Sequence, residues 1–238
     1  MTHHASLPTV APTHGRYDIY NFIHKALRKA QCDMLVRLGH TDFTGADAAG
    51  VLADLRQLLV VGRGHLAHEE AFVHTALERR APRSCDALQD QHDDHRDAFA
   101  ALDAIIAEFA TANAAQKTVL GRQLYLTYSA FVARDFEHML EEETINNAAL
   151  WAVFSDGELA GIEGAIVASL PPEAAMGSMR MMLPALNHAE RVTLLGRVQA
   201  HAPRAAFDAI MQHAAQATLS REDFTALEQR LSLAEAYA

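Results

Sequence analysis

Four long segments in the first two-thirds of the chain repeat apolar residues at helical spacing, and no proline interrupts any of them. The first stripe reads Tyr20, His24, Leu27, Gln31, Met34, Leu38. The second reads Val51, Leu55, Leu58, Gly62, His65, Glu69, Phe72, Ala76. The third reads Leu88, His92, His95, Phe99, Leu102, Ile106, Phe109. The fourth reads Leu124, Tyr128, Phe131, Asp135, His138, Glu142, Ile145, Ala149. A stripe this regular commits each segment to a helix with one buried side. Half of the 238 residues are hydrophobic and alanine is abundant, which suits helices that supply a large common core.

The segments run from about Tyr17 to Leu38, Ala48 to Arg79, Ser84 to Ala110, and onward to Phe154, with Asp47 placed to cap the second. Their connections are short, so neighbours are expected to run antiparallel. The expected fold is all-α: an up-down-up-down four-helix bundle over residues 16–154. Residues 1–15 read as a flexible arm. Residues 155–238 have another rhythm: Ser155, Asn187 and Ser220 each resemble a helix N-cap with an acid three residues on. They predict a helical extension of hairpin-like repeats, suited to docking or to homodimer formation.

Every stripe is broken by histidine, and two are also broken by glutamate. Buried charge is costly unless it is paired or bound to a metal, so these interruptions need a cause. Two segments, HLAHEEAFVHTAL (65–77) and HMLEEETINNAAL (138–150), share a histidine, a Glu-Glu pair four and five residues later, and a distal Ala-Leu. A lone H-x-x-x-E says little. Two in matching helices, each on the inner face, say much more. Positions i and i+4 share a helix face, so His65 with Glu69 and His138 with Glu142 can each converge on a metal. The other two helices offer His24 and His95, and aligning these two superimposes Met34, Leu35 and Leu38 on Ile105, Ile106 and Phe109. His92, Asp135 and Glu143 are further candidates. Four imidazoles and two carboxylates suit a pair of iron ions, with manganese or zinc as substitutes. Phe72, Phe99, Phe131 and Tyr128 would line the pocket. His68 and His74 read as supporting or surface residues, and His40, His188, His201 and His213 as surface.

At these residues the chain resembles the hemerythrin-like (HHE cation-binding) family. The matching stretches are His24 in NFIHKALRK, His65 and Glu69 in HLAHEEAFVHTAL, His92 and His95 in DQHDDHRDAF, and His138 and Glu142 in HMLEEET, together spanning roughly residues 17–153. The resemblance implies a four-helix bundle around an oxo- or hydroxo-bridged di-iron centre. It also implies a small partner such as dioxygen, nitric oxide or peroxide, since members bind oxygen, sense oxygen or redox state, or help repair iron–sulfur clusters. Oxygen carriers place H-x-x-x-H on the third helix and H-x-x-x-x-D on the fourth. This chain has glutamate at both carboxylate positions, so stable oxygen carriage is not expected of it.

The net charge of −10 argues against nucleic acid as a partner. No apolar run reaches membrane-spanning length. The two cysteines lie far apart and no signal-peptide pattern opens the chain, so a cytoplasmic location is expected. Three functional readings stay open: a di-iron protein that binds or senses a small ligand, a di-iron oxidase, peroxidase or ferroxidase, and a metal-free interaction module.

Overall fold

The computed structural model describes residues 15–236, which form nine helices and no strand. The first four are α1 (Asn21–His40), α2 (residues 48–80), α3 (Asp86–Glu108) and α4 (residues 114–153). Helix α1 packs on α2 and α4, and α3 packs on the same two. Of the flexible-arm assignment to residues 1–15, residues 1–14 lie outside the described residues. No described helix is long and apolar enough to cross a membrane.

Local signals explain most of the boundaries. Helix α4 opens with a capping box in which Asn113 accepts from the Gln116 amide and the Gln116 side chain accepts from the Asn113 amide. Helix α2 stops before Ala81-Pro82, where the Glu78 carboxylate accepts from the amides of Arg83 and Cys85 and holds the turn into α3. Asp47 differs from expectation: it has helical backbone angles, and its side chain makes no capping bond.

Two hydrophobic clusters lie along these helices. One contains Leu55, Leu102, Leu124 and Tyr128, all fully buried, and draws on all four helices. The other contains Tyr20, Val73, Leu77, Leu150 and Phe154. Each buried leucine contributes about 1.5–3 kcal/mol of transfer free energy. Buried His24, Glu69, His138 and Glu142 come between the two clusters in sequence on α1, α2 and α4. They are held at a fixed depth by apolar packing above and below.

Both long helices change pitch at the matched segments. The H-x-x-x-E of α2 runs directly into a π turn at Glu69–His74, and that of α4 into one at Glu142–Asn146. A π turn adds a residue to the helical repeat and rotates everything beyond it. The expected inner residues past the glutamates were Phe72 and Ala76 on α2 and Ile145 and Ala149 on α4. The buried ones are instead Val73, His74 and Leu77, and Asn146, Asn147 and Leu150, while Ile145 is exposed. A constant 3.6-residue period cannot anticipate that shift.

The rest of the chain forms α5 (Asp156–Ser169), α6 (Pro172–Met182), α7 (His188–His201), α8 (residues 204–218) and α9 (Arg221–Ala236). All three expected caps form: Ser155 with Glu158, Asn187 with Glu190, and Ser220 accepting from the Asp223 amide. These helices enclose their own cluster around Leu183, Leu195, Phe207 and Leu227. Helix α6 lies against α1, Lys25 pairs with Glu190, and the Arg197 guanidinium sits 4.6 Å above the Tyr17 ring.

Candidate metal centre

One ligand atom each from His24, His65, Glu69 and Glu142 lie within 4.8 Å of one another, and the same holds for Glu69, His92, His138 and Glu142. Glu69 and Glu142 belong to both groups. Four helices therefore deliver four imidazoles around two shared carboxylates. Each group could hold a metal ion.

The individual contacts explain the arrangement. His24 Nε2 is 3.4 Å from Glu142 Oε2 and 3.5 Å from Glu69 Oε1, and His65 Nε2 is 3.0 Å from Glu69 Oε1. On the other side, His138 Nε2 is 3.4 Å from Glu142 Oε2, and His92 Nε2 is 3.7 Å from Glu69 Oε2. The opposite ring nitrogens face outward to fixed acceptors. His24 Nδ1 meets Glu143, itself bound by Arg28; His92 Nδ1 meets Glu70, bound by Arg96; His138 Nδ1 meets the side-chain oxygen of Gln91. An acceptor at Nδ1 keeps the proton there and turns the Nε2 lone pair inward, the usual way an outer partner sets a metal-binding tautomer.

The inward atoms are short of donors. Both oxygens of Glu69 and of Glu142, with Nε2 of His24 and His65, are buried without a hydrogen-bond partner. Buried polar atoms normally find partners, so acceptors gathered around one point suit a cation. Electrostatics reinforce this. Burial raises the Glu69 carboxyl, but His65 and His24 outweigh it and hold the group well below the usual range. Burial and the Glu69 charge push Glu142 well above it. Burial pushes His138 down to about 3, which keeps its ring neutral and able to ligate.

Helix α3 departs from expectation. The internal alignment points to His95, but His95 lies outside both groups. Its Nε2 is 2.9 Å from Asp135 Oδ1 and its Nδ1 donates to the Gln91 carbonyl. Asp135 also accepts from Gln31. These two candidates form a buried ion pair beside the centre: positions three apart lie only about 60° from one another around a helix, so both rings are buried, and it is His92 that reaches Glu69 while His95 meets Asp135. Glu143 is the outer partner of His24 rather than a member of either group. Phe99, Phe131 and Tyr128 belong to the apolar cluster on the His95 side instead of lining the ligand atoms; Phe131 stands 5.7 Å from the His95 ring. A cavity of about 250 Å³ beside them reaches His95 and His138 from between α3 and α4.

The residue that sequence reasoning passed over is His74. It is 5% exposed and neither ring nitrogen has a partner. It stacks on His92 at 5.0 Å, with Nε2 4.0 Å from Glu142 Oε1. The π turn carries it inward. The only sequence signal was a third histidine in the 65–77 segment, without the register that would have made it meaningful. His68 is half-buried, and His40, His188, His201 and His213 are exposed, as expected of surface residues.

The fold and cluster define an all-helical protein with a buried, carboxylate-sharing histidine site. Compared with known families, curated proteins and solved structures, the chain matches none of them.

Proposed function

We propose that this chain is a non-haem di-iron protein of the hemerythrin type, with α1–α4 as its up-down-up-down four-helix bundle, and that it binds or senses a small ligand such as dioxygen, nitric oxide or peroxide. The observation that carries this reading is the sharing of Glu69 and Glu142 between two four-residue groups. Carboxylates that bridge and imidazoles that terminate are the donor set expected for a pair of hard-to-borderline divalent or trivalent ions. His24 and His65 would hold one ion, His92 and His138 the other. No cysteine lies in either group, which argues against a structural zinc site.

Held by His24, His65, Glu69, His92, His138 and Glu142, an iron pair would supply electrons and open coordination positions to such a ligand. The protein's own residues do the rest. Glu143, Glu70 and Gln91 keep the imidazole protons on Nδ1 and orient the rings. Arg28 and Arg96 anchor the two outer carboxylates. The apolar clusters exclude bulk water, which strengthens every charge interaction inside. Helix α6 and its neighbours lie against α1, so the extension forms part of the surroundings of the centre.

Metal analysis and a visible spectrum of protein from iron-supplemented cells test the reading. About two irons per chain with a near-ultraviolet absorption band are expected. Full occupancy by zinc, or no metal in folded protein, would sink it. A second reading, a di-iron oxidase or peroxidase acting on an organic molecule, is favoured by one observation, an apolar cleft that touches the His65–Glu69 edge.

A further inference from the structure

That cleft, of about 670 Å³, lies between α2 on one side and α5 with α6 on the other. Its inner end is formed by Tyr20, Glu69 and Val73, all buried, together with His65. Its outer part is open: Val60 on α2 and Val167 on α5 belong to the walls and remain 57% and 52% exposed. It therefore leads from an exposed apolar mouth to two members of the proposed metal centre. The helices of the extension, which lie outside the family resemblance, make the second wall.

The chemistry of the lining selects the occupant. The walls are mostly aliphatic, and no Lys or Arg contributes to them. The acids are Glu69 at the inner end, Glu163, which accepts from the Tyr17 hydroxyl, and Glu173. Along these walls an anionic guest would lose hydration with no lysine or arginine to pair with it. The volume falls within the range of pockets that enclose drug-sized molecules. Gly64 on α2 and Gly177 on α6 both line the space, and a Cβ added to either would meet nothing within 4 Å. The two helices thus leave a gap instead of packing side chain against side chain.

We propose that this cleft binds an uncharged, apolar organic molecule whose inner end reaches the His65–Glu69 edge of the centre. The cleft itself stands on its own geometry; what the molecule meets at that edge rests on the di-iron reading. A protein segment or second copy is disfavoured, because the inner end is formed by buried groups that a flat partner surface would not reach.

The test is a titration of the full chain with 1-decanol, followed by amide NMR, after its metal content has been measured and any paramagnetic metal removed with a chelator. Saturable shifts at Gly64, His65 and Gly177 with about one decanol per chain are expected, and decanoate should bind at least about 10-fold more weakly because its charge must be desolvated. Gly64→Leu and Gly177→Leu place a side chain in open space and should abolish binding while leaving helical content intact. The proposal is overturned if decanol fails to saturate, if His65 does not shift, if both glycine variants bind normally, or if decanoate binds as well as decanol. It is overturned equally if both variants turn a dimer into a monomer, which would make a second copy the occupant. Metal content is measured separately on the same preparation, so loss of the di-iron reading and loss of the pocket are read from different observables.

Discussion

The Nε2 atoms of His92 and His138 stand 3.2 Å apart, one on α3 and the other on α4. Their Nδ1 atoms face Glu70 and the Gln91 side-chain oxygen, and Gln91 is oriented by donating its amide to Glu141. Each Nδ1 therefore keeps its proton, and two lone pairs meet across the gap. A cation relieves that opposition.

His92→Ala should lower iron affinity by more than the roughly 10–100-fold expected from losing an outer partner. His95→Gln should leave loading intact, since its neighbour is Asp135. Metal analysis after equilibration with a competing chelator separates them. The reverse order would restore the assignment drawn from the internal alignment.

Glu142→Gln tests whether the shared carboxylates exist for metal rather than for folding. Burial and the Glu69 charge push Glu142 upward, so the charged form is a liability without a cation. The amide should abolish iron loading while leaving the metal-free chain as stable as the wild type or up to about 1–3 kcal/mol more stable. Chemical denaturation in a chelator measures this. A clear loss of metal-free stability would mean the cluster is a structural network. Glu143→Gln should have an intermediate effect, weakening iron about 10–100-fold through His24.

His74→Leu removes two buried ring nitrogens without partners. The metal-free protein should gain stability on the order of 1–3 kcal/mol, the penalty of unsatisfied buried groups. Iron affinity should fall. Unchanged affinity together with lower stability would make His74 a packing residue.

Gly121→Ala should destabilise the fold by about 1–3 kcal/mol, the usual result of forcing extra volume into a packed site. The new Cβ would sit 2.3 Å from Phe43 Cδ2, so the ring that closes the loop after α1 must move. Gly50→Ala, where nothing lies within 4 Å, is the control. Equal thermal midpoints would show that Phe43 yields freely.

Glu158 links α5 to α2. Arg80 and the Ser155 amide draw its carboxyl down to about 2 from an ordinary value near 4.5. The folded value lies below the unfolded one, so the stabilisation is complete above about pH 4.5 and is lost as pH falls towards 2. The stability difference between wild type and Glu158→Gln should therefore be present at pH 7 and shrink across that window. A difference independent of pH would assign the effect to the capping geometry alone.

Much was legible in the order of residues. Helical periodicity set the four stripes, cap residues set the starts of α5, α7 and α9, and the paired H-x-x-x-E segments placed His65, Glu69, His138 and Glu142 on inner faces, because these signals act within a turn or two of the chain. Three matters waited for the tertiary structure. The choice of His92 over His95 depends on where α3 faces relative to two other helices. The inward turn of His74 depends on π turns, whose added residue breaks the period from which sequence reasoning works. The apolar cleft against His65 and Glu69 exists only where α5 and α6 approach α2, and no local pattern records the distance between helices that are a hundred residues apart.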